Sequence, residues 1–196
     1  MTDLSTKQAL RRRALAQRDL IEPREAHAAA GSIARRGLAL VQKISGPGAV
    51  VSAYWPIRSE ISTRPLLEAL ANAGYRTALP VVTATARPLR FLLWTPGEDL
   101  DVGPLGLAEP KAGGAVGVPD ILFAPLAAFD ARGHRIGYGG GNFDATIKAL
   151  RAGRPLTTIG LAYGVQEVDR VPAEEHDQRL DFVLTEQRIF SCGALG

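Results

Sequence analysis

The sequence predicts an α/β fold of three layers, a largely parallel sheet flanked by helices, with the N-terminal helices packed on it. Two observations carry this. Short apolar runs suited to buried strands alternate along the chain with segments of helical periodicity, the pattern of parallel strands joined by crossover helices. The 196 residues, 46% hydrophobic and 22% charged, can bury a sizeable core without staples. One domain over residues 1–196 is therefore expected. Composition excludes other classes. Net charge is too small and Leu, Val and Ala too frequent for disorder. The 21 glycines have no triplet period. A single cysteine, Cys192, cannot build a disulfide framework. The lone thiol fits a reducing, cytoplasmic setting, with Cys192 a bystander. Apolar runs such as Ile121–Leu126 fall far short of the roughly 20 residues that span lipid. The first 20 residues have no apolar h-region, and Asp3 and Asp19 argue against a transit peptide.

In chain order, residues 5–20 read as a helix capped by Ser5 or Thr6, with Leu10, Ala14 and Gln17 on one face. Pro23 opens a second helix, Arg24 to about Gln42, since proline is tolerated in a first turn. Gly46-Pro47-Gly48 breaks it, and Ala49–Trp55 is a buried strand. Ser62 or Thr63 with Pro65 starts a helix carrying Leu66, Leu67 and Leu70, which Gly74 ends. Tyr75–Val82 and Leu89–Trp94 are strands. Residues 95–119, rich in Gly and Pro, form an ordered surface excursion. Ile121–Pro125 is a buried strand, 129–141 a glycine-rich loop, and Phe143–Leu150 a helix ending near Gly153. Thr157–Ala162 and Phe182–Thr185 complete the sheet.

The net charge of +3 is unevenly placed: residues 1–43 carry nine Lys/Arg against four Asp/Glu. Such a basic arm suits a small polyanion or a solvated face. It lacks the interleaved aromatics of a single-strand binder, and no Cys/His finger occurs. Nucleic acid and membrane are therefore not expected partners.

The strongest local signal runs from Arg132 to Asp144, between a strand and a helix. Strand, glycine loop and helix expose backbone N–H groups to a phosphate at a helix N-terminus. Arg135 offers a cationic fork for phosphate oxygens. The dinucleotide fingerprint fails because Asn142 stands at its third glycine position, and no Gly-Lys-Ser/Thr exists for a P-loop. Lys7 and Arg11 share a face of the first helix and could clamp phosphate oxygens, whereas Arg12 and Arg13 face solvent. Asp144, Asp177 and Asp181 are the acids available to a divalent cation, which needs only one or two carboxylates beside substrate oxygens. Glu60 follows a strand, where α/β sheets place ligand-binding groups. Tyr54 and Trp55 could stack on a flat ring, Glu60 could accept from its N–H groups, and Trp94 belongs to the core.

Together these segments resemble the 5-formyltetrahydrofolate cyclo-ligase (5,10-methenyltetrahydrofolate synthetase) family over nearly the whole chain. The parts stand in order: Lys7-x-x-Leu10-Arg11; Tyr54-Trp55-Pro56 with Glu60; Gly103 to Pro110; Pro119-Asp120; Phe129-Asp130-x-x-Gly133; Arg135-Ile136-Gly137-x-Gly139-x-Gly141; Val171-Pro172; and His176-Asp177-x-x-Leu180-Asp181. The resemblance implies a Rossmann-like domain and an enzyme that closes 5-formyltetrahydrofolate to 5,10-methenyltetrahydrofolate, with ATP as co-substrate and Mg²⁺ as cofactor. It implies that Lys7, Arg11 and Arg135 hold ATP with the run Ile136, Gly137, Tyr138, Gly139, Gly140, Gly141, Asn142 and Phe143. Lys7 and Arg135 would be catalytic, Asp144 and Asp181 would hold Mg²⁺, and Trp55, Glu60, Tyr138 and Asn142 would face the folate. The family loop ends Gly-Tyr-Tyr-Asp-Arg, where this chain reads Gly141-Asn142-Phe143-Asp144-Ala145. A monomer is expected. The competing readings are a non-catalytic folate- or nucleotide-binding paralogue and a nucleic-acid accessory protein using the arginine-rich first helix.

Overall fold

The computed structural model describes residues 4–103 and 106–193, so Asp3 and the Pro104-Leu105 part of one motif lie outside the described residues. Four helices, α1 (Leu4–Arg18), α2 (Pro23–Ile44), α3 (Arg64–Asn72) and α4 (Asn142–Gly153), accompany a seven-stranded sheet. Its strands are β1 (Val50–Ser52), β2 (Arg76–Val81), β3 (Arg90–Leu93), β6 (Ile121–Pro125), β9 (Thr157–Leu161), β10 (Phe182–Leu184) and β11 (Ile189–Ser191). Their order is β11-β10-β9-β6-β1-β2-β3. The five central strands run parallel, and β3 and β11 close the edges antiparallel. The expected mixed α/β architecture is therefore present. Strand β11 was not anticipated; its three residues alternate in exposure too weakly to signal a strand.

Successive side chains of a strand face opposite layers, and this parity sorts the core. Val51, Ile121, Phe123, Ile159, Leu161 and Leu184 pack with Ile33, Val41, Leu66, Leu67 and Leu70 of α2 and α3. Val50, Leu122, Ala124 and Val183 face the other way, onto Ile147 of α4 and Phe129. Gly37 lets α2 approach α3, because a Cβ there would lie 2.8 Å from Leu66 Cδ1.

Helix α1 departs from the expected arrangement. Its described span starts at Leu4, so Ser5 and Thr6 lie within it. Its inner face runs Leu10, Ala14, Arg18, while Gln17 is exposed. Nor does it layer on the sheet with α2. It packs against Ala128, Ile136, Val168 and Val171, beside the short ribbon of β7 (Ala128–Phe129) and β8 (Arg135–Ile136). The excursion over 95–119 contains a second ribbon, β4 (Leu100–Val102) with β5 (Ala108–Pro110).

The turn between β7 and β8 is organised by Asp130, which is fully buried. Its carboxylate accepts from the N–H groups of Val171 (2.9 Å), Arg132 (3.0 Å) and His134 (3.2 Å) and from the Arg132 guanidinium (2.6 Å). Gly133 holds a φ of 86°, and a Cβ there would sit 2.5 Å from the Leu180 carbonyl. Burial alone would raise the Asp130 carboxyl, but the Val171 N–H and the Arg132 guanidinium override it and hold it low. The native state thus binds this proton less readily than the unfolded chain. The resulting stabilisation is complete above the ordinary aspartate value of about 3.9 and is lost as pH falls through the native value. Asp130→Asn is accordingly expected to cost about 1–3 kcal/mol at neutral pH and to flatten the acid limb. Urea unfolding of both proteins at pH 7 and pH 3 measures both effects.

Candidate active site

Strand β1 has β2 on one flank and β6 on the other, with α3 crossing to β2. This is the reversal point of the sheet order, and in open α/β sheets a crevice forms there outside the strand carboxyl ends. A cleft of about 420 Å³ lies at that place. It gathers Tyr54, Trp55 and Glu60 after β1, Pro80 from β2 and Val82 just after it, and Pro125 from β6. The glycine loop and the start of α4 form another wall, and Lys7 and Arg11 reach in from α1.

The glycine loop enters α4 through Gly141, whose left-handed φ of 67° only glycine adopts readily, and no side chain caps the helix start. Arg135, 6% exposed, donates to the Gln178 carbonyl (2.6 Å) and to Asp144 Oδ1 (2.9 Å). Burial pulls its guanidinium value down, and the Asp144 charge opposes that. Asp144 also accepts from the Gln178 N–H at 3.0 Å. Arg11 Nε donates to the Gly137 carbonyl at 2.7 Å, which fastens α1 to the loop. Lys7 ion-pairs with Asp177 (2.8 Å) and Glu174 (3.2 Å). Partial burial works against its charge, but the two acids outweigh it and lift its value, while Lys7 helps hold Asp177 low.

Glu60 accepts from the Ile57 N–H at 2.9 Å, and burial raises its carboxyl despite that bond and one from Tyr138. Tyr138 in turn accepts from Arg18, whose Nε donates to Ser59 at 3.0 Å. Arg18 is 3% exposed and so ties α1 to both the Glu60 loop and the glycine loop. Sequence reasoning missed it, although it stands one helical turn after Ala14 on the inner face of α1. Trp55 meets the buried Trp94 edge to face at 5.5 Å and lies under the Arg64 guanidinium at 4.4 Å.

Most of the expected residues converge here, with one correction. Asp181 does not line the cleft. It precedes β10 at the amino end, where its carboxylate accepts from Arg151 (2.9 Å) and from the Thr158 N–H and hydroxyl (both 2.7 Å). Asp177, four residues earlier, lines the cleft instead, with Glu174 and His176. The chain between the two aspartates crosses from one end of the sheet to the other, which residue spacing alone does not show. Asn142 lines the cleft as expected. It is the first residue of α4 and its side-chain amide donates to the Ala84 (2.6 Å) and Arg87 (2.9 Å) carbonyls. With the Ala86 N–H bonded to the Gly140 carbonyl at 2.8 Å, it pins the β2–β3 loop onto the glycine loop. Its amide nitrogen is engaged in the tether while the residue stays in the cleft wall. Cys192 stays outside the cleft, and burial pushes its thiol up to about 11, against a nucleophilic role.

Comparison with known proteins points to one family. Residues 3–186 match the model of the 5-formyltetrahydrofolate cyclo-ligase family. The 5-formyltetrahydrofolate cyclo-ligase of Haemophilus influenzae is 32% identical over 163 residues, covering 81% of this chain and 86% of the relative. That of Escherichia coli is 34% identical over 145 residues, covering 71% and 79%. The 5,10-methenyltetrahydrofolate synthetase structure of Aquifex aeolicus superposes with a TM-score of 0.78 at 26% identity, over 95% of this chain and 92% of that one.

The role found for Asn142 generates a prediction. Asn142→Ala removes two hydrogen bonds and should lower stability by about 1–2 kcal/mol. Hydrogen exchange at the Ala86 amide should accelerate with it. Asn142→Tyr should lose as much, since one phenol cannot donate to both carbonyls. Thermal unfolding and amide exchange on the two variants measure these effects.

Proposed function

The chain belongs to the 5-formyltetrahydrofolate cyclo-ligase family, and we propose that it catalyses the ATP-dependent cyclisation of 5-formyltetrahydrofolate to 5,10-methenyltetrahydrofolate, releasing ADP and phosphate. The observation that carries this is the pairing of two unlike surfaces in one cleft. One end presents an uncapped helix start, a glycine loop and the cations Arg135, Lys7 and Arg11. The other presents Tyr54, Trp55 and Glu60 among apolar walls. A polyphosphate suits the first, and a flat N–H-bearing heterocycle suits the second.

The chemistry requires positioning more than a protein nucleophile. The formyl oxygen attacks the terminal phosphorus of ATP; a new O–P bond forms and the bond to ADP breaks. The activated carbon is then electrophilic, and N10 of the same molecule attacks it. A proton leaves N10 and the C–O bond breaks with release of phosphate. Arg135 and Lys7 stabilise charge on the transferring group, and the N–H groups of the loop and α4 orient it. Arg11 holds α1 and the loop together at Gly137. Trp55, Glu60 and Tyr138 fix the pteridine so that N10 lies near the activated carbon.

Mg²⁺ fits the donor set in part. Asp144 and Asp177 present carboxylate oxygens in the phosphate end of the cleft, as few protein ligands as this ion usually takes. Asp181 does not fit, because it lies outside the cleft, bonded to Arg151 and Thr158. When bound by Asp144 and Asp177, the ion would neutralise phosphate charge. A monomeric enzyme of one domain is part of the same reading. No described helix is long and apolar enough to cross a membrane, and a cytoplasmic enzyme is the setting proposed here.

The test mixes the protein with ATP, Mg²⁺ and 5-formyltetrahydrofolate and follows the absorbance of the methenyl product. Product should form only with ATP, one ADP per turnover. Binding of both ligands without product would favour the non-catalytic paralogue. Arg135→Ala should lower kcat/KM by at least about tenfold to a hundredfold, the equivalent of a lost charged hydrogen bond. Asp177→Asn should shift the Mg²⁺ titration to higher concentration, whereas Asp181→Asn should leave that titration alone and lower the melting temperature.

A further inference from the structure

Arg18 has no part in the mechanism above, yet its cation is buried between the Glu60 loop and the glycine loop. It is the last residue of α1, where the helix dipole favours a positive charge. Among the described residues no carboxylate pairs with it directly. Its guanidinium donates instead to two hydroxyls, Nε to Ser59 Oγ at 3.0 Å and Nη1 to Tyr138. A hydroxyl that accepts in this way still has one proton to give. Ser59 gives its proton to Asp19, and Tyr138 gives its own to Glu60. Each arm therefore ends on a carboxylate, and the buried charge is balanced through an intervening hydroxyl on both sides.

The Tyr138 arm leads to the heterocycle end of the cleft. Tyr138 and Glu60 line the cleft and Arg18 does not, so Arg18 can act on a ligand only through them. Burial and the Glu60 charge raise the phenol above its ordinary value, which keeps its proton available for the Glu60 bond. With Arg18 donating to its oxygen, that proton is directed at Glu60 rather than free to turn elsewhere. The groups facing Glu60 are Tyr138 from the glycine loop, Arg18 from α1, Arg58 on its own loop and Tyr54 after β1. Burial raises the Glu60 carboxyl, and the Ile57 N–H, Tyr138, Arg18 and Arg58 oppose that. Arg58 is exposed and screened by water, whereas Arg18 acts from a buried position where charges are felt more strongly. Resting on the folate reading above, we propose that Arg18 is a positioning residue which, through Tyr138, holds the Glu60 carboxylate as an acceptor for the ring N–H groups of the reduced pteridine.

Calorimetry with 5-formyltetrahydrofolate in the absence of ATP needs no turnover and can be run across a range of pH. Glu60 accepts from two ring donors only as a carboxylate, so wild-type affinity should fall as pH drops through its value. Arg18→Met should weaken binding about tenfold at neutral pH and move that fall to higher pH, because a cation opposing the rise is gone. ATP affinity should be unchanged, since Arg11 still fastens the loop at Gly137. Tyr138→Phe leaves Arg18 and its bond to Ser59 in place, and should move the fall in the same direction. Arg18→Lys keeps the charge and should restore the wild-type pH profile. An Arg18→Met profile of wild-type shape, or an equal loss of ATP affinity, would overturn the proposal, because Arg18 would then only clamp α1. So would a Tyr138→Phe profile that keeps the wild-type shape. Absence of wild-type binding at neutral pH would overturn the folate reading, and the proposal with it.

Discussion

The buried guanidinium of Arg135 is the constraint around which the candidate site is arranged. A cation at 6% exposure must find acceptors inside the protein. Two come from distant parts of the chain, the Asp144 carboxylate on the first turn of α4 and the Gln178 carbonyl. Asp144 closes the arrangement by accepting from the Gln178 N–H. One buried charge thereby fixes the exit of β8, the start of α4 and the acidic segment 174–178 relative to one another. That segment then holds Lys7, and through it α1, against the cleft.

Helix α1 has little apolar area with which to dock, since its inner face is Leu10, Ala14 and Arg18. Its placement depends on polar attachments: Lys7 to Asp177, Arg11 to the Gly137 carbonyl, and Arg18 to Tyr138 and Ser59. The same cations that would meet a polyphosphate therefore hold the helix in place without it. Charge-assisted bonds of this kind are geometrically demanding, which suits a wall that must present cations at set positions. On the opposite side the β2–β3 loop is attached to the glycine loop by Asn142 and Gly140. The glycine loop is thus held from both flanks, a form of preorganisation that electrostatic catalysis favours.

Asn142 shows how a departure from a family pattern can be absorbed. A tyrosine at that position could offer a ring to a ligand, whereas the amide turns to two backbone carbonyls of the neighbouring loop. The side chain thereby tethers that loop while still lining the cleft. Trp55, backed by Trp94 and Arg64, and the carboxyl of Glu60 remain to form the heterocycle end of the cleft.

The sequence by itself determined the order of the four helices and the central strands, the parallel sheet and the position of the glycine loop, because these follow from hydrophobic period and from glycine and proline punctuation. It also marked Lys7, Arg11, Glu60, Arg135 and Asp144 as residues of one cleft, through motifs that stand in order along the chain. Only the tertiary structure decided between Asp177 and Asp181, which four residues separate in sequence and the length of a strand separates in space. It alone exposed Gln17, buried Arg18, placed α1 beside the cleft and brought Glu109 into it from a ribbon that reads as a loop. The physical reason is common to these cases. Local patterns record which faces are apolar, but a polar side chain's role depends on which partner satisfies it, and those partners lie far away in the chain.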